Sequence, residues 1–354
     1  MIKGHFANKE SLSIGKKHIY YKRDKQEIYV IGYIYNLHSN NIAKDILEGY
    51  ETVGYKYFST LDGSFTVIIY SPEITVIARD HHGINSQIYF TNNLFSSSLF
   101  ELIQSEGVDR TPNYNSLAFF LTAGHIKAPE SSFANISKLE AGHILIYNLR
   151  EGIKTINLFL SEEVKPDIDK NRSIEEYADE FYKLHLKAIQ RRINGNDKIG
   201  LFLSGGYDSG ANLIALRELY TGDIDTYSIG FKGENISELP QARLMADTFG
   251  SIHKEYEIDG SEISSLPRLI RHFGDPFAEC GMMVNYAVFG LSGDAYPGIL
   301  LGGEGNDHYF STANRQIAIH YLISRFGLIK ALSLIKSHLD QDKFDKDGLL
   351  FSPR

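Results

Sequence analysis

"LFLSGGYDSG", residues 201–210, places a serine, two glycines and an aspartate directly after an apolar run. This order is typical of a buried strand that ends in a glycine turn and continues as a helix. In an open α/β sheet, ligands bind at the carboxyl ends of the strands. Glycines let backbone N–H groups come close to an anion, and the N-terminus of the next helix adds partial positive charge. The stretch therefore predicts an anion-binding turn at the edge of a parallel sheet.

Three well-known glycine motifs do not fit this stretch. A Walker loop requires Gly-Lys-Ser/Thr, and the stretch contains no lysine. A nucleophile elbow requires glycine two positions before the serine, where this chain has Phe202. The three-glycine dinucleotide fingerprint is absent as well. The remaining alternative to an anion site is a glycine turn that only caps a helix.

A second stretch, "GILLGGEGNDHYF" at residues 298–310, is another apolar strand that ends in glycines and acids. Because the carboxyl ends of parallel strands meet at one edge, we expect Glu304 and Asp307 to lie near Asp208. A carboxylate beside a phosphate is unfavourable unless a cation lies between them, and carboxylates with phosphate oxygens are the ligands of Mg²⁺. The two stretches together favour a Mg²⁺–triphosphate site over a helix cap.

The composition limits the class of protein. With 354 residues, the chain is expected to form two domains. A formal net charge of −8 provides no basic field, so we expect no nucleic-acid partner. The single cysteine, Cys280, excludes an intrachain disulfide framework and a multi-cysteine zinc site. The N-terminus lacks the apolar core of a signal peptide, and polar residues interrupt the most apolar stretch, 280–301. We therefore expect a cytoplasmic protein with no membrane partner.

The first 160 residues predict short strands with a helix or two on the faces of the sheet. Strands are predicted at 27–35 and 143–149, and a helix at 41–55. "SFTVIIYSPEITVIARD" (64–80) breaks at Ser-Pro-Glu and predicts a hairpin.

The polar stretch 161–176 is interpreted as the domain linker, and strands and helices alternate after it. Ser173 with Glu176 forms a capping box that opens a helix through about Arg192. Strands are predicted at 198–203, 225–231, 253–258 and 298–301, and helices at 208–220, 238–249, 261–273 and 282–293. This alternation predicts a parallel sheet with helices on both faces. The last 45 residues look helical.

Several stretches resemble one known family. SGGYDS (204–209) resembles the SGGxDS loop of the ATP pyrophosphatases, and GGEGND (302–307) resembles the SGEGxD segment of the asparagine synthetase family. Residues 227–258, between the two stretches, are also similar to that family. In the N-terminal half, "IGYIYN", "LDGSFTVIIYS", "IARDHHGINSQIYF" and "ISKLEAGHILIY" resemble the class II glutamine amidotransferase domain. The resemblance covers nearly the whole chain in the family's order.

The resemblance implies a mixed α+β and α/β fold. Residues 1–162 would form an amidotransferase-like domain, inactive here, with an Ntn-type αββα sandwich. Residues 163–354 would form a synthetase domain with a parallel sheet of the adenine-nucleotide α-hydrolase-like, Rossmann-like type.

The resemblance also implies the chemistry and the cofactors, ATP and Mg²⁺. In the family, ATP activates a carboxylate as its adenylate with release of pyrophosphate, and an amine then displaces AMP. Glu304 matches the glutamate that handles protons during amine attack, and Mg²⁺ would be held by Asp208 and Asp307. The residues implied at ATP and pyrophosphate are Leu203, Ser204, Gly205, Gly206, Asp208, Ser209, Ile229, Gly302 and Gly303. β-Lactam synthetases resemble the same fold with tyrosine at position 304, so Glu304 favours an asparagine-type reaction.

Two departures fall on the glutaminase site. The family nucleophile is a cysteine at the mature N-terminus, where this chain has Ile2. The family's asparagine–glycine oxyanion donor is Ile31-Gly32 here, and an isoleucine side chain donates no hydrogen bond. We therefore expect a degenerate glutaminase site and a nitrogen donor other than glutamine, either ammonia or an amine.

Further departures leave the substrates open. "FGDPFAE" (273–279) shifts the family's acid pattern beside the second substrate, so aspartate is not implied. The family's catalytic lysine lies farther along than Arg354, which predicts a missing C-terminal segment or a partner chain. Lys330 and Lys336 are expected on a solvated helix face. The sequence is also compatible with a homodimer.

Three functions remain from the sequence. The first is an ATP-dependent synthetase that joins a small-molecule carboxylate to ammonia or an amine. The second is a cyclase of the β-lactam synthetase or lasso-peptide type that acts within one molecule or on a peptide. The third is a non-catalytic homologue that binds nucleotide.

Overall fold

A computed structural model describes most of the chain. The described residues are 1–15, 17–158, 172–193, 195, 198–233, 237–278, 281–283, 285–286, 298–303, 323, 327–330 and 332–333. The chain divides into two compact units, Met1–Asn194 with Glu257–Ala295, and Gly195–Tyr256 with Tyr296–Arg354. The predicted domain boundary at 162 lies outside the described residues and stays a prediction.

The N-terminal part of the chain forms two antiparallel sheets. Its strands are β1 (Ile2–His5), β2 (Asn8–Ile14), β3 (His18–Arg23), β4 (Gln26–Ile34), β5 (Gly63–Tyr70), β6 (Ile74–Arg79), β7 (Tyr89–Phe90), β8 (Leu94–Ser96), β9 (Ser137–Lys138), β10 (His143–Asn148) and β11 (Gly152–Asn157). One sheet has the order β2-β1-β8-β7-β9, and the other has the order β11-β10-β6-β5-β4-β3. The predicted hairpin is confirmed, because β5 and β6 pair antiparallel around residues 71–73.

Alternating side chains place the larger sheet between two apolar layers. Helices α1 (Ile42–Val53), α2 (Leu99–Ile103) and α3 (Tyr114–Ala123) belong to the same region. Ile28 and Val30 of β4 pack with Ile46 of α1, whereas Ile31 packs with Ile2 of the smaller sheet. This is the two-residue period of a strand that is buried on both faces. Leu99 of α2 lies in a further cluster with Tyr89 of β7.

The two glycine-rich stretches follow strands of a third sheet, which is parallel. Its strands are β12 (Ile199–Phe202), β13 (Ile224–Phe231), β14 (Ile252–Ile258) and β15 (Ile299–Leu301), in the order β14-β13-β12-β15. Strand β12 pairs parallel with both β13 and β15. Helices α5 (Tyr207–Leu219) and α6 (Leu239–Phe249) belong to the same compact unit as this sheet, whereas α4 (Ile174–Ile193) and α7 (Leu266–Phe273) belong to the unit of the antiparallel sheets. Antiparallel sheets followed by a parallel sheet confirm the predicted fold class; the Ntn-type assignment stays a prediction.

The capping box that opens α4 is also confirmed. The backbone N–H of Ser173 donates to Oε2 of Glu176 at 2.7 Å, and the N–H of Glu176 donates to Oγ of Ser173 at 3.2 Å. The predicted helix at 282–293 and the helical C-terminus lie mostly outside the described residues. Within the part that is described, no helix is both long and apolar enough to span a membrane.

Candidate active site

The turn after β12 leaves the sheet from a buried, hydrogen-bonded position. The N–H of Leu203 donates to the Tyr227 carbonyl of β13 at 2.9 Å, and the Ser228 hydroxyl donates to the Leu203 carbonyl. Leu203 is buried, whereas Ser204, the next residue, is exposed. The register of β12 and β13 therefore delivers the turn to the carboxyl edge of the sheet.

Gly205 and Gly206 shape this turn in different ways. Gly205 has φ +85°, and a Cβ there would lie 2.8 Å from Cβ of Gln241 and 2.9 Å from the backbone nitrogen of Ala242. Only glycine fits both the left-handed backbone and the approach of α6. Gly206 precedes α5 and has no side chain with which to cap its N-terminal N–H groups. These groups can therefore hydrogen-bond a ligand.

The two serines of the motif brace the turn. Oγ of Ser209 accepts a hydrogen bond from the N–H of Ser204 at 3.1 Å and lies 3.0 Å from Oγ of Ser204. Oγ of Ser204 also accepts from the N–H of Gly206 at 3.2 Å. Ser209 is buried, so its hydroxyl holds the turn together, while the exposed Ser204 faces solvent.

The second glycine stretch lies against the first. Because β15 pairs parallel with β12, Gly302 and Gly303 leave the sheet at the same edge as Ser204. A Cβ on Gly303 would lie 3.4 Å from both Cβ of Asp208 and the backbone nitrogen of Ser209. The structure thus brings together the two stretches that the sequence predicted to meet.

Asn212 joins the two stretches and was missed by sequence reasoning. Its Nδ2 donates to the Gly302 carbonyl at 2.9 Å, and the side chain is buried. Asn212 lies one helical turn after Asp208 on α5, so it shares the face of Asp208. This i, i+4 spacing was the signal that could have identified it.

Ile229 lies at the same edge on the neighbouring strand. Tyr227 is paired with Phe202, so Ile229, two residues later, lies level with Ser204. It is half-buried, so part of its side chain is accessible at this edge.

The described residues fit a Mg²⁺ ion that takes one carboxylate from the protein and most of its other oxygens from a bound nucleotide. Across the described ranges, no group of three or more His, Cys, Asp or Glu side chains could hold a metal. Asp208 is an exposed carboxylate in the first turn of α5. Since Mg²⁺ is usually held by one or two carboxylates together with phosphates and water, this single carboxylate suits Mg²⁺ bound to a nucleotide. Glu304 and Asp307 lie outside the described residues.

Isoleucine side chains occupy the two positions at which the sequence predicts a degenerate glutaminase site. Ile2 and Ile31 are fully buried in one apolar cluster between the two antiparallel sheets. Gly32 has φ +98°, and a Cβ there would overlap the Ser64 carbonyl oxygen and Nδ2 of Asn85. Two isoleucines at these positions supply neither a nucleophile nor a side-chain donor to an oxyanion.

Lys330 is exposed in a short helical segment, in agreement with the solvated face that the sequence predicts for it. The other lysine predicted on that face, Lys336, lies outside the described residues, as does Cys280.

Comparison with known proteins matches both parts of the chain. The family model for asparagine synthase matches residues 180–353, and that for a glutamine amidotransferase domain matches residues 18–157. A Methanocaldococcus jannaschii protein with an asparagine synthetase name is 26% identical over 275 residues, which are 75% of this chain and 52% of that protein. The glutamine-hydrolysing asparagine synthetase 1 of Bacillus subtilis is 25% identical over 298 residues, 82% of this chain and 45% of that enzyme.

The chain spans about half the length of these curated relatives. Among solved structures, a glutamine-dependent NAD⁺ synthetase from Acinetobacter baumannii in complex with ADP has a TM-score of 0.30 and 20% identity, covering 48% of this chain and 31% of that one. The two family models lie in the order of the sequence motifs and together cover most of the chain. The chain belongs to the asparagine synthetase family.

Proposed function

We propose that this chain carries the nucleotide site of an ATP-dependent ligase that forms an amide from a carboxylate and ammonia or an amine, with release of AMP and pyrophosphate. The observation that carries the proposal is the meeting of two glycine stretches at one sheet edge. A Cβ built on Gly303 would lie at van der Waals distance, 3.4 Å, from Cβ of Asp208 and from the Ser209 backbone nitrogen, in the first turn of α5.

The turn would hold the phosphates of ATP. The N–H groups at the start of α5 have no side-chain cap and carry the positive end of the helix dipole. Asp208 in the first turn would repel a phosphate, so a cation between them is required. Asp208, together with Asp307, would hold Mg²⁺, which neutralises the charge of the departing pyrophosphate.

The reaction has two steps in this proposal. A carboxylate oxygen of the substrate attacks the α-phosphorus of ATP, and the bond to pyrophosphate breaks. The nitrogen donor then attacks the acyl carbon, and AMP leaves with the electrons of the broken bond. Glu304, assigned from its place in the GGEGND stretch, would take the proton that the amine loses.

The nitrogen donor would be ammonia or an amine. Glutamine hydrolysis needs a nucleophile and oxyanion donors, and the loss of one donor alone costs about two to three powers of ten in rate. Ile2 and Ile31 supply neither group, and both side chains pack into the apolar cluster between the sheets. This burial supports a structural role for the amidotransferase-like region.

The test measures two products from the purified chain. AMP is quantified with Mg·ATP and a panel of carboxylates, with ammonium, amines or glutamine as nitrogen donor. With the C-terminal segment or partner chain that the sequence predicts supplied, we expect AMP with ammonium or an amine. We expect no glutamate from glutamine above the buffer blank. The matched pair of variants is Ile2→Cys alone and Ile2→Cys with Ile31→Asn, of which only the double variant supplies both a nucleophile and an oxyanion donor.

Glutamate release by the unmodified chain, surviving alkylation of Cys280, would contradict the assignment of the nitrogen donor. AMP formation that requires glutamine and fails with ammonium would contradict it too. Ring closure of a substrate without added amine would assign the chain to the cyclases instead.

A further inference from the structure

The stretch Gly274–Ala278, directly after α7, is held by a buried carboxylate. Oδ1 of Asp275 accepts hydrogen bonds from the N–H of Ser132 at 2.9 Å and from its hydroxyl at 2.7 Å. Oδ2 of Asp275 lies 2.9 Å from Nζ of Lys138. Oδ1 is thus hydrogen-bonded and Oδ2 is ion-paired without a hydrogen bond, and both partners come from the region that matches the amidotransferase model.

The ion pair between Lys138 and Asp275 is buried on both sides. The two side chains are 9% and 10% exposed, and Nζ of Lys138 also donates to the Ile126 carbonyl at 2.8 Å. Lys138 belongs to β9, whose backbone pairs with Tyr89 of β7, so the sheet fixes its position. Removing one member of such a pair leaves an uncompensated buried charge, which is strongly destabilising.

Three further contacts hold the backbone on either side of Asp275. The Tyr89 hydroxyl donates to the Phe273 carbonyl at 3.1 Å, and the N–H of Ala278 donates to the Gly124 carbonyl at 2.7 Å. Gly274 has φ +77°, and a Cβ there would lie 2.5 Å from Cβ of Leu99. These contacts hold the stretch so closely that there is no room for a methyl group at position 274.

We propose that Lys138 and Asp275 form a clamp by which the amidotransferase-like region fixes the stretch Gly274–Ala278. The carboxylate of Asp275 is committed to this clamp and is not a substrate ligand, and Lys138 is a positioning residue. The clamp gives a role to a region whose nucleophile position is Ile2, and this part of the inference rests on the proposed function.

Amide hydrogen exchange on the full chain, read by mass spectrometry, tests the clamp. Lys138→Met should accelerate exchange at Gly274, Asp275 and Ala278 by roughly a hundredfold, because the stretch opens to hydrate the unpaired carboxylate. The double variant Lys138→Met with Asp275→Asn carries no buried charge, and the side-chain amide oxygen of the new asparagine can still accept from Ser132. We expect it to regain most of the protection.

The control is Lys254→Met, which removes a partly exposed pair with Asp225 at 2.8 Å in the other compact unit. It should leave exchange at Gly274–Ala278 unchanged. If Lys138→Met does not fold, Asp275→Asn alone takes its place, with faster exchange confined to the same amides. Exchange within twofold of the unmodified chain, or equal acceleration in every peptide, would overturn the clamp.

Calorimetric titration with Mg·ATP separates this inference from the proposed function. Lys138→Met should bind Mg·ATP as the unmodified chain does, since the hydrogen bonds and the ion pair of Lys138 and Asp275 do not involve the turn at Ser204–Gly206. Absence of Mg·ATP binding by the unmodified chain would defeat the proposed function and leave the exchange result on the clamp intact.

Discussion

Gly205 combines two constraints that no side chain satisfies. Its backbone is left-handed, and its α-carbon lies against the start of α6. Gly206, its neighbour, has φ −79°, and the described atom nearest to its missing Cβ is Oγ of Ser204 at 3.3 Å. The two adjacent glycines of this motif therefore differ in whether a side chain can replace them.

We expect Gly205→Ala to lower the free energy of unfolding by about 2–4 kcal/mol, because it adds backbone strain and a contact with the Ala242 backbone. Gly206→Ala should cost less than about 1 kcal/mol, as alanine is only a poorer N-cap. Urea denaturation of both variants measures the difference. Equal costs would show that α6 does not approach the turn as described.

Glu27 is a buried carboxylate surrounded by hydrogen-bond donors. Burial raises the pKa of its carboxyl, but hydrogen bonds outweigh burial and bring the pKa down to about 2. The donors are Lys9, Lys22, Tyr29 and Tyr20. Nζ of Lys22 lies 3.2 Å from the carboxylate, and the Tyr29 hydroxyl donates at 3.0 Å.

A folded-state pKa below the ordinary value near 4.5 means that ionised Glu27 stabilises the native state. That stability is fully present above the ordinary value and is lost as the pH falls towards 2. Glu27→Gln should therefore lower the free energy of unfolding by up to about 3 kcal/mol at pH 7, and by progressively less below pH 5. Urea denaturation between pH 7 and pH 3 measures this, and a difference independent of pH would contradict it. Glu73→Gln, at an exposed carboxylate 3.8 Å from Arg150, is the control and should change little.

At the scale of elements, the capping box of α4 depends only on residues three positions apart, Ser173 and Glu176. Ser173→Ala removes the acceptor for the N–H of Glu176, which should cost about 1 kcal/mol. Hydrogen exchange at Glu175–Tyr177 should accelerate roughly fivefold as the first turn frays. Thr52→Ala, whose hydroxyl bonds back to the Glu48 carbonyl within α1, is the matched control and should leave exchange in α4 unchanged. Unchanged exchange in Ser173→Ala would mean that tertiary packing alone holds the first turn.

The elements that sequence predicted correctly carry strong local signals. The β5–β6 hairpin has a proline turn between two β-branched runs, and α4 has its capping box. The strands missed were short or polar, such as β9 at Ser137–Lys138 and the edge strand β2 at Asn8–Ile14. Such strands are defined by pairing with distant segments, which no local pattern shows.

The candidate site also has predictable and unpredictable parts. The meeting of Asp208 with Gly303 was predictable, because parallel strands bring their carboxyl ends to one edge. The close approach of α6 to Gly205 and the bond from Asn212 to Gly302 depend on packing between elements. Lys138 and Asp275 are far apart in the chain. No local sequence pattern at either residue indicates that they form a pair.

At the scale of the whole molecule, two family models match the chain, one over residues 180–353 and one over residues 18–157. Ile2 and Ile31, the positions at which the sequence predicts a degenerate glutaminase site, lie in one apolar core cluster. The turn at Ser204–Ser209 keeps its glycines, hydroxyls and carboxylate at an accessible edge. We therefore propose that the chemistry belongs to the parallel sheet and that the antiparallel sheets have a supporting role.

Calorimetric titration of the full chain with ATP, with and without Mg²⁺, tests this assignment most directly. We expect saturable binding that requires Mg²⁺ and weakens at least tenfold in Asp208→Asn, since the variant loses a Mg²⁺ ligand. Asp223→Asn is the control, because Asp223 is exposed at the amino end of β13, the opposite edge of the sheet, and should bind as the unmodified chain does. No binding by the unmodified chain would contradict the nucleotide site, and equal affinity of Asp208→Asn and the unmodified chain would contradict the metal ligand.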